Sequence, residues 1–93
     1  MRKGTLSNGF EYEFDETRLD DMRFVDALAV ILDPKTEPFD KILWTSQLME
    51  LMLGKEMKAA LYEHIGKDYD GRVPRQALED ALRELMGADT AKK

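Results

Sequence analysis

The chain has 93 residues and no cysteine, with 43% hydrophobic residues, 35% charged residues and a formal net charge of -5. This composition is typical of one globular domain, here residues 1–93, and it excludes disulfides, thiolate metal sites and cysteine nucleophiles. The acidic balance opposes binding to a phosphate backbone, so no nucleic-acid partner is expected. No segment reaches the roughly 18 apolar residues of a membrane span, and the N-terminus lacks an apolar signal region, which predicts a cytoplasmic protein with no membrane partner.

The first predicted element is a β-hairpin over residues 3–14. Three aromatic residues alternate with glutamates after Asn8-Gly9, which is the period of a strand with one apolar face. A two-residue loop would place Leu6 opposite Glu11, whereas a three-residue loop ending at a left-handed glycine pairs Leu6 with Phe10. We expect the three-residue loop because it puts both apolar side chains on the same face.

A helix is predicted over residues 19–33, with acidic residues in its first turn, where the helix dipole favours negative charge. Pro34 ends it. Phe24 and Ile31 widen an apolar stripe that we expect to face the core. The main residues of this stripe are Met22, Val25, Leu28, Ala29 and Leu32.

The stretch from Ile42 to Ile65 contains the only tryptophan and three of the six methionines. Its apolar spacing predicts two helices, over residues 40–53 and 55–65. The first is apolar around most of its circumference, whereas the second has a single apolar stripe. Gly54 lies between them, and we expect it in the left-handed conformation that ends a helix without a Cβ clash.

The loop after the third helix resembles half of a calcium site. Asp68 and Asp70 fall on the third and fifth positions of an EF-hand loop. The first position would be Gly66 and the twelfth Ala77, so the leading carboxylate and the closing glutamate are missing. We therefore interpret Asp70-Gly71 as a turn.

A last helix is predicted over residues 74–86, followed by a polar tail at residues 88–93 that we expect to be mobile. The elements together predict a mainly α protein, a small four-helix domain with a short N-terminal β-hairpin.

No residue pattern indicates catalysis, so we expect a protein that is not an enzyme and has no metal or cofactor. His64 is the only histidine, which excludes histidine-pair metal sites within one chain. We expect it to cover the edge of the core. The serines and threonines lack an activating motif, and paired carboxylates such as Asp20-Asp21 fall on predicted solvent faces.

Four short helices cannot easily enclose all of the apolar surface in this sequence, so we expect part of it to contact a partner. Methionine suits an adaptable apolar groove, although the alternative is that these methionines only fill an irregular core. The candidate partner-binding residues are Trp44, Leu48, Met49, Met52, Leu53 and Met57.

Three segments follow one another along the chain: NGFEYEFDETRLDDMRFVDAL, LMELMLGKEMKAALYEHI and DGRVPRQALEDALRELMG. In pattern and order they resemble the small tail assembly chaperones of long-tailed bacteriophages and prophages, particularly those of Gram-positive hosts. The resemblance covers roughly residues 4–87 and contains no catalytic signature. The chain departs from the family pattern at Pro74, where a serine or threonine cap is common, and at Trp44-Thr45-Ser46, which is more polar than usual.

The resemblance implies a helical, non-enzymatic chaperone of the bacterial host cytoplasm that is absent from the finished virion. It would bind the tape measure protein and keep it soluble during tail assembly, and it would form homo-oligomers. Further partners implied are the major tail protein and a frameshifted longer form of this chain. The chain ends in Ala91-Lys92-Lys93, and consecutive lysine codons are able to form the slippery run that such a frameshift uses. The alternative is a small acidic regulatory or protein-interaction domain, with DNA binding through the last two helices as its less favoured form.

Overall fold

The computed structural model describes residues 1–87 and confirms the mainly α fold with an N-terminal hairpin. The predicted tail at residues 88–93 lies outside the described residues. Two strands and a short 3-10 helix, Glu16–Asp20, precede four α-helices. The strands and helices in chain order are β1 (Arg2–Thr5), β2 (Glu11–Phe14), α1 (Met22–Leu32), α2 (Pro38–Leu53), α3 (Lys55–Gly66) and α4 (Arg75–Leu85).

The hairpin has the predicted three-residue loop. β1 and β2 are antiparallel, and Thr5 pairs with Glu11. The backbone N–H of Leu6 donates to the carbonyl oxygen of Phe10 at 2.8 Å, which continues that register. Gly9 has a φ of +92°, as the turn requires. Leu6 and Phe10 are therefore on the same face, and both are buried.

The hairpin loop is attached to the last two helices. The ring Nε2 of His64 on α3 lies 2.9 Å from the carbonyl oxygen of Asn8, and the His64 ring packs 5.5 Å from the ring of Phe10. On α4, the Glu84 carboxylate accepts hydrogen bonds from the backbone N–H and the hydroxyl of Ser7. These contacts confirm that His64 covers an edge of the core, and they fix the hairpin aromatics against the helices.

The first helix begins three residues later than predicted. The Asp15 carboxylate caps the 3-10 helix by accepting from the N–H of Thr17, and the Asp21 carboxylate caps α1 by accepting from the N–H of Arg23 at 2.8 Å. Asp21 itself is extended, with φ of -78° and ψ of 128°. The predicted span of residues 19–33 was wrong at its start because two aspartate caps occur in series, and only the second begins an α-helix.

The stripe predicted to face the core on α1 was confirmed for Phe24, Leu28 and Ile31 and wrong for its other four residues. Phe24 and Ala27 are buried, and Leu28 and Ile31 pack against the core. Met22, Val25, Ala29 and Leu32 are exposed instead. Because apolar residues occur on nearly every side of this helix, their spacing could not decide which side faces inward. The side of α1 that packs against the core is the one that carries Phe24, the largest apolar side chain on this helix.

Gly54 separates α2 from α3 as predicted, but not in the left-handed helical conformation. Its φ is +87° and its ψ is 162°, a combination that is essentially restricted to glycine. The N–H of Gly54 donates to the carbonyl of Glu50, and its own carbonyl accepts from the N–H of Lys58. Lys58 also joins the two helices, since its ammonium donates to the Ser46 hydroxyl at 2.9 Å and lies 3.6 Å from the Glu50 carboxylate.

The loop between α3 and α4 is the turn expected from the sequence. Asp70 and Gly71 both have positive φ, at 61° and 86°. The N–H of Gly71 donates to the carbonyl of Gly66 at 2.8 Å, which closes the loop. Pro74 caps α4 from its extended conformation, so the helix proper starts at Arg75.

One core joins the hairpin to all four α-helices. The C-terminal half of α2 lies at its centre, and no helix within residues 1–87 is long and apolar enough to cross a membrane. The buried apolar residues are Leu6, Phe10, Phe14, Phe24, Ala27, Leu48, Met49, Met52, Leu53, Leu61, Ile65, Leu78, Ala81 and Leu85.

Candidate protein-interaction surface

Most of the residues predicted to contact a partner are in the core. Leu48, Met49 and Met52 have 0% of their surface exposed, and Leu53 is also buried. Met57 is partly buried and packs against the core. Met57 also lines an open groove beside the hairpin, so for Met57 the expectation stays a prediction. The expectation of a methionine-rich partner surface is wrong for the four buried residues, and core filling, the alternative, accounts for them. They are enclosed because the hairpin, α1, α3 and α4 surround this part of α2.

Trp44 is the most exposed of the candidates, with 40% of its surface accessible. It lies on the outer face of α2 with Leu43, which is 53% exposed, and with Gln47 one turn further along. This face and part of α1 form an open groove of about 550 Å³, which we call the α2 groove. The residues that line it are Arg23, Asp26, Leu43, Trp44, Gln47 and Leu51.

The α2 groove results from helical spacing. Leu43, Gln47 and Leu51 follow one another at intervals of four residues and therefore lie along one side of the helix. The buried residues Leu48 and Met52 are also four residues apart. Each follows its counterpart, Leu43 or Gln47, by five residues and therefore lies on another side of the helix. The same helix thus packs into the core with one side and exposes an apolar side to solvent.

A second exposed apolar surface runs along α1 and consists of Met22, Val25, Ala29 and Leu32, which we call the α1 stripe. Met22 is 64% exposed and Leu32 is 70% exposed. The intervals of three, four and three residues match the seam of a helix that packs against another helix. Asp26 follows Met22 by one turn and lies beside the α1 stripe. Asp26 also lines the α2 groove.

The α2 groove is lined by one basic and one acidic side chain, Arg23 and Asp26, and Asp40 lies in the first turn of α2. The guanidinium of Arg23 is paired with the carboxylate of Asp21, with Nη2 at 2.9 Å from Oδ2. Hydrogen bonds from the side chain and the backbone N–H of Arg23 lower the pKa of Asp21 below its ordinary value of 3.8. Asp26 and Asp40 form no ion pair with any residue in the described part of the chain. Neither carboxylate is therefore held in an ion pair within residues 1–87.

This arrangement has the features of a protein-interaction surface. The groove is open and has an apolar floor, with an amide, a carboxylate and a guanidinium at its edges. Exposed apolar surface rimmed by polar groups is typical of protein-interaction sites. Within residues 1–87, no group of three or more histidine, aspartate or glutamate side chains is placed to hold a metal ion.

The sequence-based prediction included Trp44 but not Leu43. It was based on the positions of the methionines, which lie on the opposite side of α2. The signal was present in the interval of four residues from Leu43 to Gln47 to Leu51. Phe39, which is 68% exposed near the start of α2, was missed for the same reason.

Comparison with protein-family models gave no match, and no curated protein or solved structure matches the chain significantly.

Proposed function

We propose that this protein is a tail assembly chaperone of a bacteriophage or prophage, acting in the bacterial cytoplasm and absent from the virion. It binds the tape measure protein and keeps it soluble until the tail tube forms around it. The chain holds its client by contact and carries out no chemical reaction. The tape measure protein is proposed as the client because three segments of the sequence resemble those of the tail assembly chaperones.

The observation that carries the proposal is the α2 groove, an apolar surface exposed on a chain with a net charge of -5. A holding chaperone requires both properties. The apolar groove covers the apolar side of a client helix, and the negative exterior keeps the complex from associating further. Trp44 is kept as a proposed contact residue and Leu43 is added. The proposal drops the four buried candidates, which are Leu48, Met49, Met52 and Leu53.

Self-association is the second part of the proposal. The α1 stripe offers a surface for it that is separate from the α2 groove, because a stripe with intervals of three and four residues can pack against its own copy about a two-fold axis. A homo-oligomer of this kind would present several α2 grooves to one long client, and repeated weak contacts would raise the overall affinity.

The test is affinity capture of this chain from cells that express its native operon, followed by mass spectrometry of the retained proteins. The proposal predicts recovery of a very long helical protein encoded in the same operon. The same experiment shows whether the major tail protein or a longer form of this chain is retained. Recovery of this chain alone would contradict the client assignment and favour a small acidic interaction domain. Retention on DNA that declines with salt would favour the regulatory alternative.

A further inference from the structure

The charges around the α2 groove indicate the kind of helix that it accepts. Between residues 20 and 47, which cover α1, the linker and the exposed part of α2, the chain has six acidic and three basic residues. The acidic residues in this segment are Asp20, Asp21, Asp26, Asp33, Glu37 and Asp40. A partner that approaches this surface therefore meets a negative field.

The three basic residues do little to neutralise this field at the groove. Arg23 lines the groove, but its guanidinium makes two hydrogen bonds to the carboxylate of Asp21. Lys41 is partly buried and precedes the buried residue Thr45 by one turn, so it lies on the core-facing side of α2. Lys35 is in the linker between α1 and α2.

Two carboxylates remain near the apolar floor, one beside it and one beyond its N-terminal end. Asp26 lines the groove from α1. Asp40 precedes Leu43 and Trp44 by three and four residues, so it lies on the same side of α2, one turn nearer its N-terminus. The floor from Leu43 to Leu51 extends over about 12 Å, or two helical turns. Its length therefore suits a short helical segment with two or three apolar side chains in a row.

We propose that the α2 groove binds an amphipathic helix whose apolar stripe is flanked by lysine or arginine. The identification of this helix as a segment of the client rests on the proposed function. The apolar stripe of the bound helix packs on Leu43, Trp44 and Leu51. Its basic side chains reach the carboxylates of Asp26 and Asp40. The apolar contact supplies most of the affinity, and the charges select which segments bind and in which position.

The same charges argue against a second copy of this chain in the groove. In a two-fold dimer each groove would meet the same surface of its partner. Asp26 and Asp40 of both copies would then be brought together, and Arg23 of each copy, which also lines the groove, is already paired with Asp21. Like charges placed opposite one another oppose association. A basic partner removes this repulsion.

The test uses Trp44, the only tryptophan in the chain, as a reporter inside the groove. The full chain is titrated with two synthetic helical peptides of about 18 residues. Both have leucine at the same positions at intervals of three and four. One has lysine at the flanking positions and the other has glutamate. Neither peptide contains tryptophan, so the change in emission comes from Trp44 alone.

We expect the lysine peptide to shift the Trp44 emission and to bind at least about tenfold more tightly than the glutamate peptide at low salt, with the difference shrinking as salt is raised. Leu43→Asp should remove binding of the lysine peptide. The double variant Asp26→Asn/Asp40→Asn should remove the preference between the peptides. Tyr69→Gln, an exposed change in the α3–α4 loop, is the matched control and should leave both titrations unchanged.

Equal affinity for the two peptides would overturn the proposal, and so would an unchanged emission with both. Binding that survives Leu43→Asp would overturn it as well. Sedimentation of the chain alone provides a further check, since a dimer that Leu43→Asp dissociates would show that a second copy occupies the groove.

Failure of this inference can be separated from failure of the proposed function. If the tape measure protein is captured from cells but the lysine peptide has no preference, the chaperone proposal stands and the charge selection does not. If the lysine peptide binds selectively but no tape measure protein is captured, the groove has the inferred specificity and its client is a different basic helix.

Discussion

The two halves of α2 are both rich in apolar residues, but their surroundings are opposite. From Pro38 to Trp44 the helix exposes Phe39, Leu43 and Trp44, whereas from Thr45 to Leu53 it buries five of nine residues. One side of the second half is enclosed by the hairpin and the other helices, while its Gln47 and Leu51 line the groove. No residue of the first half is buried. Hydrophobicity along one helix therefore does not separate core from binding surface. The neighbours that a residue acquires on folding make that distinction.

The largest effect is expected from Met52→Asp in the buried half. The Met52 side chain is completely buried, so the substitution places an unpaired carboxylate in the core. Such a change costs about 4 to 5 kcal/mol or more, which approaches the whole stability of a chain of this size. We expect loss of the far-ultraviolet circular dichroism signal of the helices at 25 °C. A folded Met52→Asp variant would mean that this side chain is not enclosed in solution.

Leu48→Ala and Leu43→Ala form a matched pair across the two halves. Leu48 is completely buried, and its truncation should lower the free energy of unfolding by about 2 to 5 kcal/mol. Leu43 is exposed, and its truncation should lower it by less than about 1 kcal/mol. Urea denaturation of the two variants measures the difference directly. Equal losses would contradict the division of α2 into a core half and an exposed half.

Gly54→Ala tests how the buried half is joined to α3. A side chain at φ of +87° and ψ of 162° is strained, so we expect the variant to lose about 1 to 3 kcal/mol in urea denaturation. Lys55→Ala, at the next position, has no such conformation to maintain and serves as the control. If both variants have the stability of the original chain, α2 and α3 do not meet through this conformation.

The smallest effect concerns the two aspartate caps that precede α1. Hydrogen bonds from Thr17 lower the pKa of Asp15, and those from Arg23 lower the pKa of Asp21, in both cases below the ordinary value of 3.8. At a pH near these pKa values the folded chain therefore binds fewer protons than the unfolded chain. Their stabilisation is present above about pH 3.8 and is lost as the pH falls through the lowered values.

Urea midpoints measured between pH 6 and pH 2.5 should thus decline more in the original chain than in Asp15→Asn/Asp21→Asn. Identical pH profiles for the two proteins would mean that the caps are not formed in solution.

The sequence was sufficient to predict the hairpin with its three-residue loop, the four helices and the break at Gly54. These features depend on local signals, namely a turn dipeptide, strand alternation and glycine or proline at helix ends. The start of α1 was missed because Asp15 and Asp21 are equally good caps when read locally.

The orientation of α1 and the position of the binding surface could not be predicted in the same way. Met22 and Phe24 are both apolar, and only the packing of the folded chain decides that Phe24 is buried while Met22 is exposed. In α2, Met52 and Leu43 present the same ambiguity. Periodicity identifies an apolar side of a helix, but when two sides are apolar it does not say which of them has a neighbour.

The most direct test of the account is coexpression of the tape measure protein with this chain, measuring the fraction of tape measure protein that remains soluble. The original chain and Met86→Gln, an exposed change just after α4, should keep it in solution. Leu43→Asp should fold with a loss of less than about 1 kcal/mol and leave the tape measure protein insoluble. If a folded Leu43→Asp variant keeps the tape measure protein in solution as well as the original chain does, the outer side of α2 is not the surface that holds the client.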